Sequence, residues 1–198
     1  IAAAVARLHR MAARAPAGYG TPEVAWRWMQ ENCSTMRDHV QSAADRARLD
    51  ALDAWAHREW HARLDLLRAR VEGGFVRDVH GDLHLGNIVL LDGQPTLFDA
   101  IEFNAELRCI DVISDVAFTF MDLLDHGLPV HAWRLLSGYL EHTGDYGGLA
   151  LLRLYAVYRA LVRAKVALIR LHQPEVKHQV RVREHASFGH YMALAERL

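Results

Sequence analysis

Cysteine is scarce in this chain of 198 residues: only Cys33 and Cys109 occur, far apart and without a paired spacing. That argues against a disulfide framework and a cysteine-ligated zinc centre, and it makes a reducing cytoplasm the expected compartment. Lysine is nearly absent, with Lys165 and Lys177 alone. Neither sign of charge dominates, the formal net charge being -1 and the pI about 7.0, so no global field draws the chain to nucleic acid or to an anionic membrane. No apolar run approaches the roughly 20 residues that cross a bilayer, and the opening IAAAVARLHRMAARA lacks the layout of a signal peptide. A soluble protein with neither nucleic-acid nor membrane partners is expected. There is no internal repeat and no low-complexity tract.

What is present is apolar side chain in quantity. Hydrophobic residues make up 52% of the chain, enough for one sizeable core and too few for two comfortable domains. The first residue is Ile1, inside the amphipathic pattern Val5, Leu8, His9, Ala12, which raises the expectation of a piece cut from something longer. Helical periodicity prevails. It predicts a helix over about 2–14, a second from the N-cap Thr21 with Pro22 and Glu23 to about 44, and a third over about 45–72 ended by Gly73-Gly74. FVRDVH, NIVLL and TLFDA read as strands. Helices are expected again near 112–125, with Asp111 as N-cap, and near 129–142, 148–172 and 175–197. The fold class is therefore mostly α with a small β-hairpin sheet inserted at its middle.

The insert carries an unusual load of polar groups. In VHGDLHLGNIVLLDGQPTLFDAIEF, residues 79–103, two apolar runs flank the turn sequence DGQP and predict a buried hairpin, yet His80, Asp82, His84, Asn87, Asp99 and Glu102 lie on it. A hairpin serving only a core has no use for them, since each polar group buried without a partner costs a few kcal/mol, about 1–3 by mutational measure. A tight hairpin brings the start of one strand beside the end of the other, so Asn87 and Asp99 are expected to approach within the span of one shared ion. One carboxylate with one amide carbonyl suits magnesium, which takes few protein oxygens together with water and phosphates. A further carboxylate, Asp82, can orient a hydroxyl and accept its proton. Phosphoryl transfer requires such a set.

HGDLHLGN resembles the H-x-D-x-x-x-x-N catalytic loop of the aminoglycoside phosphotransferases and their relatives in the protein-kinase-like superfamily. LFDAIEF is similar to the metal-binding aspartate segment of that family, and DVISDVAF to the helix start that follows it. The resemblance implies a helical C-lobe of a protein-kinase-like fold spanning 1–198, with the N-lobe absent from this chain. It implies ATP and Mg2+ as cofactors and a small-molecule hydroxyl as acceptor. Asp82 would be the catalytic base, His84 a donor near the transferred phosphate, Asn87 and Asp99 the magnesium ligands, His80 a brace of the loop, and Asp115 a buried anchor beneath it. Glu102 would support the site, as a metal-shell group or through a structural hydrogen bond. FDAIEFN and YRALVRAKVAL further resemble bacterial proteins in which such a region is joined to a P-loop ATPase-like region. The family's strand lysine and its loop over the ATP phosphates have no counterpart here, nor does G-x-x-x-x-G-K-[ST] occur, so most of the nucleotide pocket is expected elsewhere.

Plainer readings stand beside these. Loop histidines are often inert, and Asp111 and Asp115 suit helix starts in any protein. Arg159, Arg163 and Arg170 share one helix face, either as the solvated edge of a buried helix or as a basic stripe toward an anionic substrate or an adjacent domain. Trp26, Trp28, Trp55, Trp60 and Trp133 are read as packing residues. Two rival functions remain. DVHGD resembles the opening of two-metal phosphoesterases, whose further motifs are not found, and a kinase-like scaffold without catalysis would keep the lobe for binding alone.

Overall fold

The structure is a computed structural model and describes residues 1–173 and 177–198. It is mostly helical, with two small antiparallel strand pairs. The helices are α1 (Ala2–Met11), α2 (Pro22–His39), α3 (Ala43–Ala62), α4 (Leu64–Glu72), α5 (Ala105–Arg108), α6 (Val112–Asp125), α7 (Pro129–Thr143), α8 (Leu149–Leu171) and α9 (His178–Arg197). The strands are β1 (Val76–Asp78), β2 (Ile88–Leu91), β3 (Gln94–Leu97) and β4 (Cys109–Asp111). None of the helices among the described residues is long and apolar enough to cross a membrane. The start of the expected 175–197 helix lies partly outside the described residues.

The caps follow from local chemistry. Thr21 accepts from the Val24 amide with Pro22 opening α2, Ser42 accepts from the Asp45 amide to start α3, and Asp111 accepts from the Ile113 amide at 2.9 Å to start α6. Helix α6 is buried almost throughout, from Val112 to Leu123, and forms the centre of the core. Helices α7 and α8 pack on it, α8 packs in turn on α9 and α2, and α1 lies against α7. Each fully buried Ile, Leu or Phe there contributes about 1.5–3 kcal/mol of transfer free energy.

Several expectations are corrected. The first helix ends at Met11 and the second at His39, short of their predicted ends. The predicted helix over 45–72 is two, because Arg63 leaves the helical ladder and donates from Nε to the Ala150 carbonyl at 2.8 Å. The strand after Gly74 does not join the hairpin: β1 pairs with β4, Val76 opposite Asp111, in a separate two-stranded sheet. Strand β4 was hidden because its three residues, CID, are too short to show a period. The hairpin β2–β3 does form, with Ile88 opposite Leu97 and a two-residue turn at Asp92 (φ 51°) and Gly93 (φ 74°), the left-handed pair that a type I′ turn requires. It is not buried, however. Val89, Leu90 and Leu91 are exposed, while Ile88 and Leu97 at its base pack against the core.

Cys33 and Cys109 are both buried free thiols. Burial, with Asp53 nearby, pushes the Cys33 thiol up to about 12. Among the tryptophans, Trp60 is buried, while Trp133 is 57% exposed and packs edge-on against Phe120.

Candidate active site

The segment from His80 to Asn87 is a loop with a single 3-10 turn at its end, and it rests on one face of α6. Asp115, Thr119 and Asp122 recur at intervals of four and three, which on a helix places them in line. Asp115 accepts from the amides of Gly81 (2.9 Å) and His80 (3.3 Å). The Thr119 hydroxyl donates to the Leu83 carbonyl at 2.6 Å, and Asp122 accepts from the Leu85 amide at 2.8 Å. The loop thus finds three buried side chains for backbone groups that no sheet or helix satisfies.

Asp115 is supported from behind. His9 of α1 donates from Nε2 to its carboxylate at 3.1 Å, and His9 Nδ1 lies 2.9 Å from the Tyr139 hydroxyl. Burial alone would raise the Asp115 carboxyl, but the His9 hydrogen bond and the nearby Arg159 charge hold it below the usual carboxylate range.

The upper face of the loop carries the proposed chemistry. Asn87 is buried, and its amide nitrogen donates to the Asp82 carbonyl at 2.9 Å and to the Asp82 carboxylate at 3.3 Å. Its amide oxygen accepts no hydrogen bond among the described residues. His84 accepts at Nδ1 from the Gly86 amide (3.0 Å), which leaves Nε2 to face the Asp82 carboxylate at 3.6 Å. Desolvation pushes the Asp82 carboxyl up, and the His84 N–H that faces it together with the charges of Arg159 and Arg163 outweighs this, so the net shift is downward. Asp82 is ionised at neutral pH.

His80 binds the loop to the segment after the hairpin. Its ring donates from Nε2 to the Phe98 carbonyl at 2.8 Å and accepts at Nδ1 from the Asp82 amide, while its carbonyl receives the Ile101 amide. The Phe98 amide also donates to the Asn87 carbonyl, continuing the β2–β3 register by one pair. Asp99 therefore follows a residue directly paired with Asn87, beyond the strand end rather than at it. Its backbone is left-handed, φ 59°, a conformation that costs a non-glycine residue about 1–3 kcal/mol and is typically retained where function needs it. Its carboxylate is exposed and has no hydrogen bond or ion pair among the described residues. Asn87 Oδ1 and the Asp99 carboxylate are free hard oxygens of the type magnesium takes together with water. Glu102 is exposed; its carbonyl accepts from Arg108 at 3.1 Å, and its carboxylate makes no hydrogen bond, so a structural bond through the side chain is not found.

The arginines predicted to form one stripe have three different environments. Arg159 is buried, donating to the Gly81 carbonyl at 3.0 Å and the Ser114 carbonyl at 3.2 Å, with its guanidinium over the Phe118 ring. Arg163 is half-buried against the Tyr191 hydroxyl, and Arg170 is exposed. Only the last is a solvated edge. Gly81, whose carbonyl Arg159 holds, has φ 80°, and a Cβ there would lie 2.7 Å from the Leu107 carbonyl.

A cavity of about 300 Å³ opens beside Asp82, between the loop, α2, α5 and α8. Trp28, Met29, Ile101, Tyr158 and Val162 give it a largely apolar wall. Its size lies at the lower end for small-molecule sites.

Several of these groups escaped the sequence reading. Thr119 and Asp122 had a visible signal, since polar residues at intervals of four and three in the apolar run VISDVAFTFMDLL must face something polar. His9 and the cavity had none, because both depend on how distant helices meet. A further trio, Asp122, Asp125 and His126, brings ligand-type atoms within 4.8 Å of one another. Asp122 is engaged by the Leu85 amide and Asp125 by His190 at 2.5 Å, so neither carboxylate is idle.

The chain is similar to uncharacterized proteins of Mycobacterium bovis and of two strains of Mycobacterium tuberculosis. Each is 35% identical over 176 residues, which covers 87% of this chain and 35% of the relative. The chain thus spans about a third of the length of the curated relatives it matches. No protein family matches it, and no solved structure does.

Proposed function

We propose that this chain is the C-lobe of a kinase-like phosphotransferase that moves a phosphoryl group from ATP to a hydroxyl of a small molecule. The observation that carries the reading is the joining of Asp82, Asn87 and the Asp99 segment by side-chain and backbone hydrogen bonds on one buttressed loop, next to a cavity. Asp82 is the base: it is ionised, lines the cavity and is held in place by Asn87 and His84, so an acceptor hydroxyl entering there can donate to it and lose its proton as the new P–O bond forms. Asn87 and Asp99 would hold magnesium, which when bound neutralises charge on the phosphates. His84, with its one ring N–H at Nε2 beside Asp82, would turn that donor to a phosphoryl oxygen.

The groups that would cover ATP are not in this chain. An N-terminal lobe, together with a P-loop ATPase-like domain, belongs to the proposal as a partner in the parent protein, and the greater length of the mycobacterial relatives accommodates both. The exposed apolar side chains of β2 suit a face covered by such a lobe.

The test is transfer of label from γ-³²P-ATP by the full-length protein to a panel of small hydroxyl compounds, with and without magnesium. Magnesium-dependent formation of a phosphorylated acceptor is expected. Label released only as inorganic phosphate whatever the acceptor would favour a phosphohydrolase instead.

A further inference from the structure

The cavity beside Asp82 has a charge arrangement that narrows its ligand. Five charged residues line it: Asp82, Glu106, Asp111, Arg159 and Lys165. Four are engaged by the protein. Asp82 is held by Asn87 and His84; Glu106 accepts from Arg27 and from Trp28 Nε1 (3.1 Å). Asp111 pairs with Arg70 through both carboxylate oxygens at 2.6 and 2.8 Å, and Arg159 donates to the Gly81 and Ser114 carbonyls.

Lys165 alone has no hydrogen bond or ion pair among the described residues. It sits half-buried on α8, and burial pulls its ammonium below the usual lysine range; exposed Glu31 on α2 only partly offsets this. A half-buried cation without a partner is costly, and a ligand that supplies an anion recovers that cost. Lys165 and Arg159 both line the cavity from α8, six residues apart, or about 9 Å along the helix axis, with Val162 between them and Tyr158 just before Arg159. The wall between is aromatic and aliphatic.

From this arrangement we infer that the acceptor carries an anionic group for Lys165, an apolar, ring-sized body for the wall of Trp28, Tyr158 and Val162, and its hydroxyl at the opposite end, beside Asp82. The site selects hydroxylated aromatic or alicyclic acids and disfavours cationic acceptors. The hydroxyl's role rests on the phosphotransferase reading; the anion preference does not, because it depends on Lys165 and the cavity alone.

The test is binding to the full-length protein without nucleotide, by calorimetry, of three probes with the same phenol ring: 3-(4-hydroxyphenyl)propanoate, 2-(4-hydroxyphenyl)ethanol and tyramine. The carboxylate is expected to bind at least about tenfold more tightly than tyramine, the scale of one charge-assisted hydrogen bond, with the neutral alcohol between. Lys165→Met should remove that order while leaving the affinity for the alcohol nearly unchanged, and Lys165→Arg should keep it. Tyramine binding as tightly as the acid, an order that survives in Lys165→Met, or no binding of any probe at millimolar concentration would overturn the inference. Failure of phosphoryl transfer with the anion preference intact would instead refute only the enzymatic reading.

Discussion

The side-chain amide of Asn87 donates to both the carbonyl and the carboxylate of Asp82, at 2.9 and 3.3 Å, so the third and the last residue of the HGDLHLGN loop are fixed to each other. The loop is a closed ring whose orientation is then set by α6 below and by Arg159 beside it. Rigid presentation of a carboxylate at the edge of a cavity is what a general base needs, because a misplacement of about 1 Å can cost some 10²-fold in rate.

Removing the buried support should therefore show in stability first. Asp115→Ala leaves the His80 and Gly81 amides and the His9 ring without an acceptor in a fully buried place. A loss of about 3–5 kcal/mol is expected, as for one partner removed from a buried pair. Since the Asp115 carboxyl is held below its ordinary value, its contribution is complete above the unfolded carboxylate pKa and fades as pH falls through the folded one. Urea unfolding of native and variant protein at neutral and acid pH checks both: the difference between them should shrink toward acid pH.

Gly81→Ala tests the loop from above. With φ 80° and the Leu107 carbonyl 2.7 Å from the new Cβ, the substitution brings backbone strain and a clash with backbone that has little freedom to yield. A loss of about 1–3 kcal/mol is expected, read as a fall in the thermal midpoint. An unchanged midpoint would mean that this close approach does not exist.

His84→Ala addresses the electrostatics of Asp82. Burial raises this carboxyl, and the facing His84 N–H with the nearby arginines more than offsets it. Without His84 the balance moves toward burial, and the acid limb of kcat/KM should shift to higher pH. A pH–rate profile of the full-length enzyme decides this; a limb that stays in place would leave His84 with no part in keeping Asp82 ionised.

The sequence carried the local features of this site, with His80 and Asp115 as its supports through the family resemblance, and not the distant groups that meet them. Asp111 as a cap, the helix over 112–125 and the DG turn were legible because each depends on a few neighbouring residues. The link between Asn87 and the Asp99 segment was accessible through hairpin register, which is also local. Burial of the hairpin was misread because an apolar run does not by itself say whether anything packs on it. The Arg159 bond to Gly81, the His9–Asp115 pair and the cavity join residues 78 and 106 positions apart or several helices, and no periodicity encodes such meetings.

Asp99→Asn should differ from changes at Asp82. A ligand to magnesium acts on nucleotide binding and turnover together, so this variant should raise the magnesium concentration needed for half-maximal rate as well as lowering kcat. A variant with normal magnesium dependence would remove Asp99 from the metal site.

The most direct measurement is kcat and the nucleotide Kd of full-length Asp82→Asn, with a melting curve alongside. The substitution keeps the shape and the Asn87 contact while removing the charge that takes the proton. The account predicts a folded protein with nearly unchanged nucleotide affinity and a kcat lower by about 10²–10⁴. A folded variant with near-normal kcat would contradict it and leave the loop as a binding scaffold.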